Sequence, residues 1–435
     1  MISKEPPSLL LLASKLGYQT RSFAEAARRL GVGVIIGSDR CQQLEDPWAD
    51  GAVPLHFEEP RSAAARLAEA VRDRLHEQTV GAILALGDRQ TATAAHAARL
   101  LNLTYNSPEA IDNCRSKLRQ REVLQKAGLP VPDFFSFSLA EPFDSVLPRV
   151  TFPCVVKPLR LAASQGVIRA NHPAEFLAAV ERVARLLSSP ELQVTREADL
   201  DRLLVERYIP GTEFALEGIL EAGQLRVLAL FDKPDPLEGP YFEESIYVTP
   251  SRLPSSVQEQ ISRCAGKSLR ALGLSEGPVH AEFRLNDRGP WVLEIAPRPI
   301  GGLCSRVLRF GPQRIFLEEL LIRRVLGLSG ADLQREPDAA GVMMIPVPQS
   351  GVLEKVEGSQ EALETPGICE IQITARLHDF IAAWPEGSSY LGFIFARGRT
   401  PDFVEAALRK ALGVLRFTIA PRLPVAHPVS GQRLA

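Results

Sequence analysis

Two glutamates on either side of a polar turn carry the clearest chemical signal in the sequence. Val279-His280-Ala281-Glu282-Phe283-Arg284-Leu285 runs into Asn286-Asp287-Arg288-Gly289, and Trp291-Val292-Leu293-Glu294-Ile295 follows. Apolar and polar residues alternate on both sides of the turn, the period of a half-buried strand. A turn centred on Arg288 places Glu282 opposite Glu294, on one face of the hairpin. Two carboxylates paired across strands repel each other. A divalent cation between them reverses the sign, and Mg2+ suits the site because it takes one or two carboxylates together with phosphate oxygens. The alternative is a solvated face on which Arg284 neutralises the pair. A register slip of one residue separates the two acids.

Three further segments could do chemistry. Phe152-Pro153-Cys154-Val155-Val156-Lys157-Pro158 is an apolar strand that delivers one lysine at its end, a good point charge for phosphate. Ser164, Gln165 and Gly166 follow in a loop of small residues, through which backbone N–H groups can approach phosphate oxygens. It is not a Walker loop, since no GxxxxGK[ST] is present, and a snorkelling edge lysine is the plain alternative. Leu203-Leu204-Val205-Glu206-Arg207-Tyr208-Ile209-Pro210-Gly211-Thr212-Glu213 is a strand and a Pro-Gly turn between two acids. Its backbone could read an adenine edge and Glu213 could accept from ribose hydroxyls; an ordinary type II turn with solvated glutamates is the alternative. In Ala296-Pro297-Arg298-Pro299-Ile300-Gly301-Gly302 an arginine is held between two prolines just after the second acid. Guanidinium binds carboxylate or phosphate in a bidentate fork, and the glycines permit close backbone approach. A tight turn with an exposed arginine fits equally.

The elements that must position these residues fall into three blocks. Leu9–Ala13, Val32–Ile36 and Ala82–Leu86 are short apolar runs separated by helical segments at Ser22–Leu30, Arg61–Gln78 and Thr91–Leu101. That alternation predicts a parallel sheet covered on both faces. Gly31-Val32-Gly33 misses the dinucleotide fingerprint, because its glycines lie between a helix and a strand and the third glycine is misplaced. Ser107–Ala127 reads as one helix, opened by Ser107-Pro108-Glu109 and closed by Gly128. Strands are expected at 152–158, 203–209, 214–220, 224–231, 279–285 and 291–295, with hairpins at Glu221-Ala222-Gly223 and at residues 286–289. This is an α+β region with antiparallel sheets. A third block has strand-like runs at Gly341–Val347, Val352–Val356, Ile368–Thr374 and Leu391–Ala396, and a helix opened by Thr400-Pro401-Asp402.

Composition excludes several classes. A chain of 435 residues is too long for one core, so two to four domains are expected. A net charge of −2 gives no electrostatic case for nucleic acid or an anionic membrane. Leu9–Ala13 is too short to span a bilayer, and Lys4 is offset by Glu5, so no secretory leader is expected. Cys41, Cys114, Cys154, Cys264, Cys304 and Cys369 show no CxxC spacing, which disfavours zinc and redox pairs and fits a reducing cytoplasm.

In order and spacing these segments resemble the ATP-grasp superfamily, and within it the L-amino acid ligases and related carboxylate–amine ligases. The resemblance covers nearly the whole chain. It implies an α/β and α+β fold: an N-terminal Rossmann-like (pre-ATP-grasp) domain over residues 1–112, an ATP-grasp domain over 113–330, and a C-terminal α+β block over 331–435. The segment Cys114-Arg115-Ser116-Lys117 through Gly128-Leu129-Pro130-Val131-Pro132 is similar to the family's entry helix, which makes Lys117 a phosphate contact. By the same resemblance Lys157 is the second phosphate lysine, and loop 159–167, with Ser164 and Gly166, closes over the phosphates. Glu206 and Ile209 become adenine contacts, Glu213 the ribose glutamate, Glu282 and Glu294 the metal ligands, and Arg298 the group that steadies the acyl phosphate and tetrahedral intermediate. Two positions depart from the pattern. Ala296 stands where many members carry Asn as a metal contact, and Tyr247 stands where several amino acid ligases carry His three residues after Glu244, in a loop that helps hold the amine.

The activity implied is a ligase using ATP and Mg2+ (or Mn2+) to activate a small carboxylate as an acyl phosphate. An amine or thiol then captures it, with ADP and phosphate as products. Glu244 would bind the amine or act as base, and Gly301 and Gly302 would help hold substrate. His280 falls on the metal face as a hydrogen-bonded structural residue. The partners expected are small molecules only, in the cytoplasm, with homodimerisation left open. The rivals are a carboxylase-like ATP-grasp enzyme with another acceptor, a non-catalytic nucleotide-binding protein, and a dinucleotide-dependent oxidoreductase.

Overall fold

The computed structural model describes residues 7–14, 18–39, 52–74, 79–330 and 332–421. Cys41 and the last residues of the helix expected over 61–78 lie outside that set. The N-terminal block forms a four-stranded parallel sheet in the order Val53–Pro54, Val34–Ser38, Ser8–Ala13, Val80–Ala85. Its strand Ser8–Ala13 is apolar at nearly every position because both faces are covered. Leu9 and Leu11 pack into the core shared with the rest of the chain, and Leu10 and Leu12 into a second core under the helices Pro60–Arg74 and Asp88–Leu101. The latter helix starts three residues earlier than expected, which puts Asp88 in its first turn.

Two antiparallel sheets follow. A four-stranded lid sheet runs Phe134–Ser138, Arg202–Arg207, Cys154–Pro158, Ile168–Ala170 and is backed by the helix Pro173–Leu187. The central sheet has eight strands in the order Gly289–Ala296, Gly277–Asn286, Thr212–Glu221, Gln224–Asp232, Ile246–Thr249, Ala339–Ile345, Gly392–Gly398, Ile368–Ile373. Its last three strands come from the C-terminal block, so the sheet runs on past residue 330 without an edge. The remaining C-terminal strands Gly351–Glu357, Phe380–Ile381 and Arg416–Ala420 form a small sheet of their own. The helix Pro401–Val414 begins where the sequence signals it, with the Thr400 hydroxyl accepting from the Phe403 N–H.

One expected helix is two. Pro108–Arg115 and Lys117–Lys126 are separated by Ser116, which is extended at φ −106° and ψ 119°. Its hydroxyl accepts from the Arg119 N–H at 3.4 Å and so caps the second helix. Helical periodicity continues through the break, so the apolar pattern alone does not reveal it. The break matters because it places Lys117 at the first position of a helix, with its own N–H donated to Leu159 O at 2.9 Å. Ser116→Ala should cost ~1 kcal/mol of stability; thermal melts would measure it, and an unchanged melting temperature would mean that the hydroxyl does not cap the helix.

Candidate active site

The hairpin that carries the two glutamates reaches its register by a bulge. Asn286 pairs with Gly289 across a two-residue turn, and a regular ladder from there would set Glu282 against Leu293. Between Phe283↔Val292 and Glu282↔Glu294 the register slips by one, leaving Leu293 unpaired. Glu282 therefore does face Glu294, by a different route from a turn centred on Arg288. The carbonyl that the bulge frees, Leu293 O, accepts from Arg121 Nη2 at 2.8 Å. The bulge also turns Leu293 and Glu294 together into one cavity of about 290 Å3 between the lid sheet and the central sheet.

Lysines enter the cavity from two directions. Lys117 reaches across to Glu294 at 3.1 Å and also donates to Leu161 O at 2.7 Å in the small loop. Lys157 ends its strand buried, 2.6 Å from Glu206. Glu206 is itself clamped by Arg121 at 2.7 Å, so its carboxylate is committed to two cations inside the protein. Burial depresses the Lys157 ammonium to about 8; Glu206 opposes that shift, while Arg121 and Lys117 add to it. The N–H groups of Arg207 and Tyr208 are bonded to the carbonyls of Asp133 and Pro153, and Ile209 O accepts from Arg284 at 2.7 Å. Glu213 is held by Arg284 at 2.7 Å and Lys233 at 3.5 Å.

Lys233 is the centre of an acidic wall. It pairs with Glu213, Glu244 and, at 3.4 Å, Glu282. Burial works against its charge, but the three carboxylates outweigh that and push its pKa up. The two acids nearest it diverge. Burial drives the Glu244 carboxyl up despite Lys233, whereas at Glu282 the burial cost is overcome by Lys233 and His280, which hold it well below the usual range. His280 lies 3.1 Å from Glu217 and 3.5 Å from Glu282; burial would neutralise it, yet those carboxylates raise it to about 9. Glu217 is fully buried and also accepts from the Ile300 N–H at 3.1 Å, which ties the strand Thr212–Glu221 to the glycine loop. Tyr247 is buried against Glu244 and lines the same cavity.

Arg298 does not stand free between its prolines. Its Nε and Nη2 meet Asp88 of the N-terminal block at 2.9 Å, and Nη1 donates to Pro299 O, leaving N–H bonds on Nη1 and Nη2. Burial of Asp88 would raise its pKa, but Arg298 prevails and holds the carboxylate low. Gly301 and Gly302 form the adjoining wall. Gly302 has φ +63°, and a Cβ there would press on the Phe393 ring at 3.1 Å. The cavity thus gathers Lys117, Lys157, Ser164, Glu206, Ile209, Glu213, Glu244, Glu282, Glu294, Arg298, Gly301 and Gly302. Gly166 is the exception. It sits behind the loop against Pro158, and its N–H is bonded to Pro385 O at 2.9 Å, so it offers no phosphate donor.

The sequence reading missed Lys233, Arg121, Glu217, Asp88 and Tyr390 as members of this site. Lys233 had a signal: like Lys157 it follows an apolar strand, Leu228-Ala229-Leu230-Phe231. The donor set fits Mg2+ bound together with phosphate. Two opposed carboxylates share the cavity with Lys117 and Lys157, and among the described residues no group of three or more His, Cys, Asp or Glu side chains forms a cage that would bind metal alone.

Comparison with known proteins agrees with this architecture. Family models match as an ATP-grasp N-terminal domain over residues 24–104, an ATP-grasp domain over 150–307 and an L-amino acid ligase C-terminal domain over 343–420. The y4rH protein of Sinorhizobium fredii is 26% identical over 429 residues, spanning 95% of this chain and 83% of its own length. Alanine–anticapsin ligase of Bacillus subtilis is 26% identical over 337 residues, 73% of this chain and 70% of that enzyme. The crystal structure of L-amino acid ligase from Bacillus licheniformis superposes with a TM-score of 0.79 at 26% identity, covering 96% of this chain and all of that one. The fold is an ATP-grasp fold. The chain thus carries an ATP-grasp domain, with an ATP-grasp N-terminal domain before it and an L-amino acid ligase C-terminal domain after it.

The depressed Lys157 pKa makes a signed prediction. An ordinary lysine titrates near 10.5, so between about 8 and 10.5 the folded chain holds fewer protons here than the unfolded one. Over that window this group makes stability rise with pH. Phosphate affinity should move the opposite way, falling as the ammonium is lost. MgATP titrations should therefore weaken above pH ~8, and Lys157→Arg, whose charge persists, should flatten the profile. A flat wild-type profile would overturn the assignment.

Proposed function

We propose that this chain is an ATP- and Mg2+-dependent carboxylate–amine ligase that activates its carboxylate substrate as an acyl phosphate. The observation that carries the reading is the opposition of Glu282 and Glu294 across a bulged hairpin, facing Lys117 and Lys157 in one cavity. Glu282 and Glu294 would hold Mg2+, which when bound supplies positive charge to the β- and γ-phosphate oxygens. Lys117 and Lys157 add charge from the opposite wall. The apolar side chains of Val155, Leu161, Tyr208, Ile209 and Phe242 offer a slot for the adenine.

In the first step a substrate carboxylate oxygen attacks the γ-phosphorus, the bond to the β–γ bridging oxygen breaks, and ADP leaves. In the second an amine nitrogen attacks the acyl carbon, the C–O bond to phosphate breaks, and phosphate leaves with its electron pair. Arg298, through the N–H bonds that Asp88 does not occupy, and the backbone beside Gly301 would hold the developing oxyanion. Glu244, whose pKa burial raises, is the group suited to take the amine proton. Tyr247 beside it would shape the amine site. Alanine–anticapsin ligase and L-amino acid ligase, similar over most of this chain, support an amino acid or a close analogue as one substrate.

The test is phosphate release from ATP across a panel of carboxylates, each with and without amines or thiols. Release that needs both partners, with ADP as product, is expected; AMP would mean adenylate chemistry, and ATP binding without release would mean a non-catalytic protein. Glu294→Ala should lower turnover on the order of 100-fold or more with little change in melting temperature. Normal turnover in that variant would remove the metal site.

A further inference from the structure

The small loop over the cavity is held in place by residues more than two hundred positions away. Ala163 and Ser164 both sit at φ 54°, in the left-handed region that L residues adopt only when their surroundings over-determine it. The loop's own hydrogen bonds, Gln165 N to Ala162 O at 3.2 Å and Val167 N to Ser164 O at 3.1 Å, are those of an isolated turn. Lys117 and Asp199 hold its first residues, through Leu159, Leu161 and Arg160, and its second half is fastened by residues 384–386 of the C-terminal block. Trp384 Nε1 donates to Ala163 O at 3.0 Å, Gly166 N donates to Pro385 O at 2.9 Å, and Gln165 Nε2 donates to Glu386 O at 2.8 Å. One contact falls on each residue of the strap.

The strap is itself anchored. Arg182, on the helix that backs the lid sheet, grips the Glu386 carboxylate with both Nε and Nη2. The Trp384 indole is buried and packs against Tyr390, the rings tilted by 32° with centroids 5.0 Å apart. Tyr390 lines the cavity. A buried indole N–H needs an acceptor, and the carbonyl of a strained loop residue is the one it has.

We propose that residues 384–386 fasten the phosphate loop, with Trp384 as the positioning residue, so that the C-terminal block holds the lid over the nucleotide while Tyr390 forms the wall beside it. The proposal rests on the ligase reading only in taking loop 159–167 as the cover of the ATP phosphates. A fastened loop would exclude water during the lifetime of the acyl phosphate.

The experiment uses the full chain and MgATP alone. Trp384→Phe keeps an aromatic ring beside Tyr390 and removes the indole N–H. It should weaken MgATP binding about fivefold, the worth of one hydrogen bond, and speed amide hydrogen exchange at residues 159–167 while leaving exchange in the central sheet unchanged. A folded Trp384→Phe protein with wild-type MgATP affinity and wild-type exchange in that loop overturns the proposal. If this core variant does not fold, Gln165→Ala, which leaves the indole in place, decides it by the same two readouts. Neither readout needs a carboxylate substrate, so an absence of carboxylate-stimulated phosphate release would count against the ligase reading alone.

Discussion

Carboxylates that face one another across a hairpin repel, and this site exists because cations are interleaved among them. Lys117 answers Glu294, His280 and Lys233 answer Glu282, and Lys157 with Arg121 answers Glu206. Buried ion pairs seldom repay their desolvation as stability. Their value here is positional: each acid is held at a fixed place in a wall that two separate sheets and the N-terminal block build together. Where two cations converge, as Lys233 and His280 do on Glu282, the acid stays ionised. Where burial dominates, as at Glu244, the carboxyl is pushed towards holding a proton. One cavity thus has an ionised end suited to metal and phosphate and a proton-accepting end suited to an amine.

The backbone serves the same constraint. The bulge at Leu293 sets the two acids face to face and frees a carbonyl for Arg121. The break at Ser116 starts a new helix at Lys117. Glu217 joins the strand Gly277–Asn286 to the glycine loop through His280 on one side and the Ile300 N–H on the other. The bulge and the break each direct a functional group into the cavity, and each interrupts a pattern that would otherwise have run on regularly.

Much of the fold was legible because it is written in short-range periodicity. The run Ser8–Ala13, apolar at almost every position, meant a strand covered on both faces, and Thr400-Pro401-Asp402 marked a helix start at the right residue. The single helix read over 107–127 failed because an extended serine inside an unbroken helical pattern leaves no trace in hydrophobic spacing. Lys233 carries a weaker form of the signal at Lys157: it follows an apolar strand, with Asp232 between them. The Pro-Gly turn suggests Glu213 as a ribose contact and the family resemblance adds Glu206 at the adenine, and nothing local could say that Arg284 and Arg121 already occupy them.

By itself the sequence determined which residues alternate, where strands and turns fall, and in what order the acids, lysines and glycines arrive, because these follow from side-chain period and backbone preference over a few residues. Tertiary structure decided the partners. Asp88 meets Arg298 across 210 positions, Trp384 meets Ala163 across 221, and three strands of the C-terminal block complete the central sheet. A hydrogen bond or ion pair between distant segments depends on how whole elements pack, and that geometry is set by the shared core rather than by the residues that form the bond.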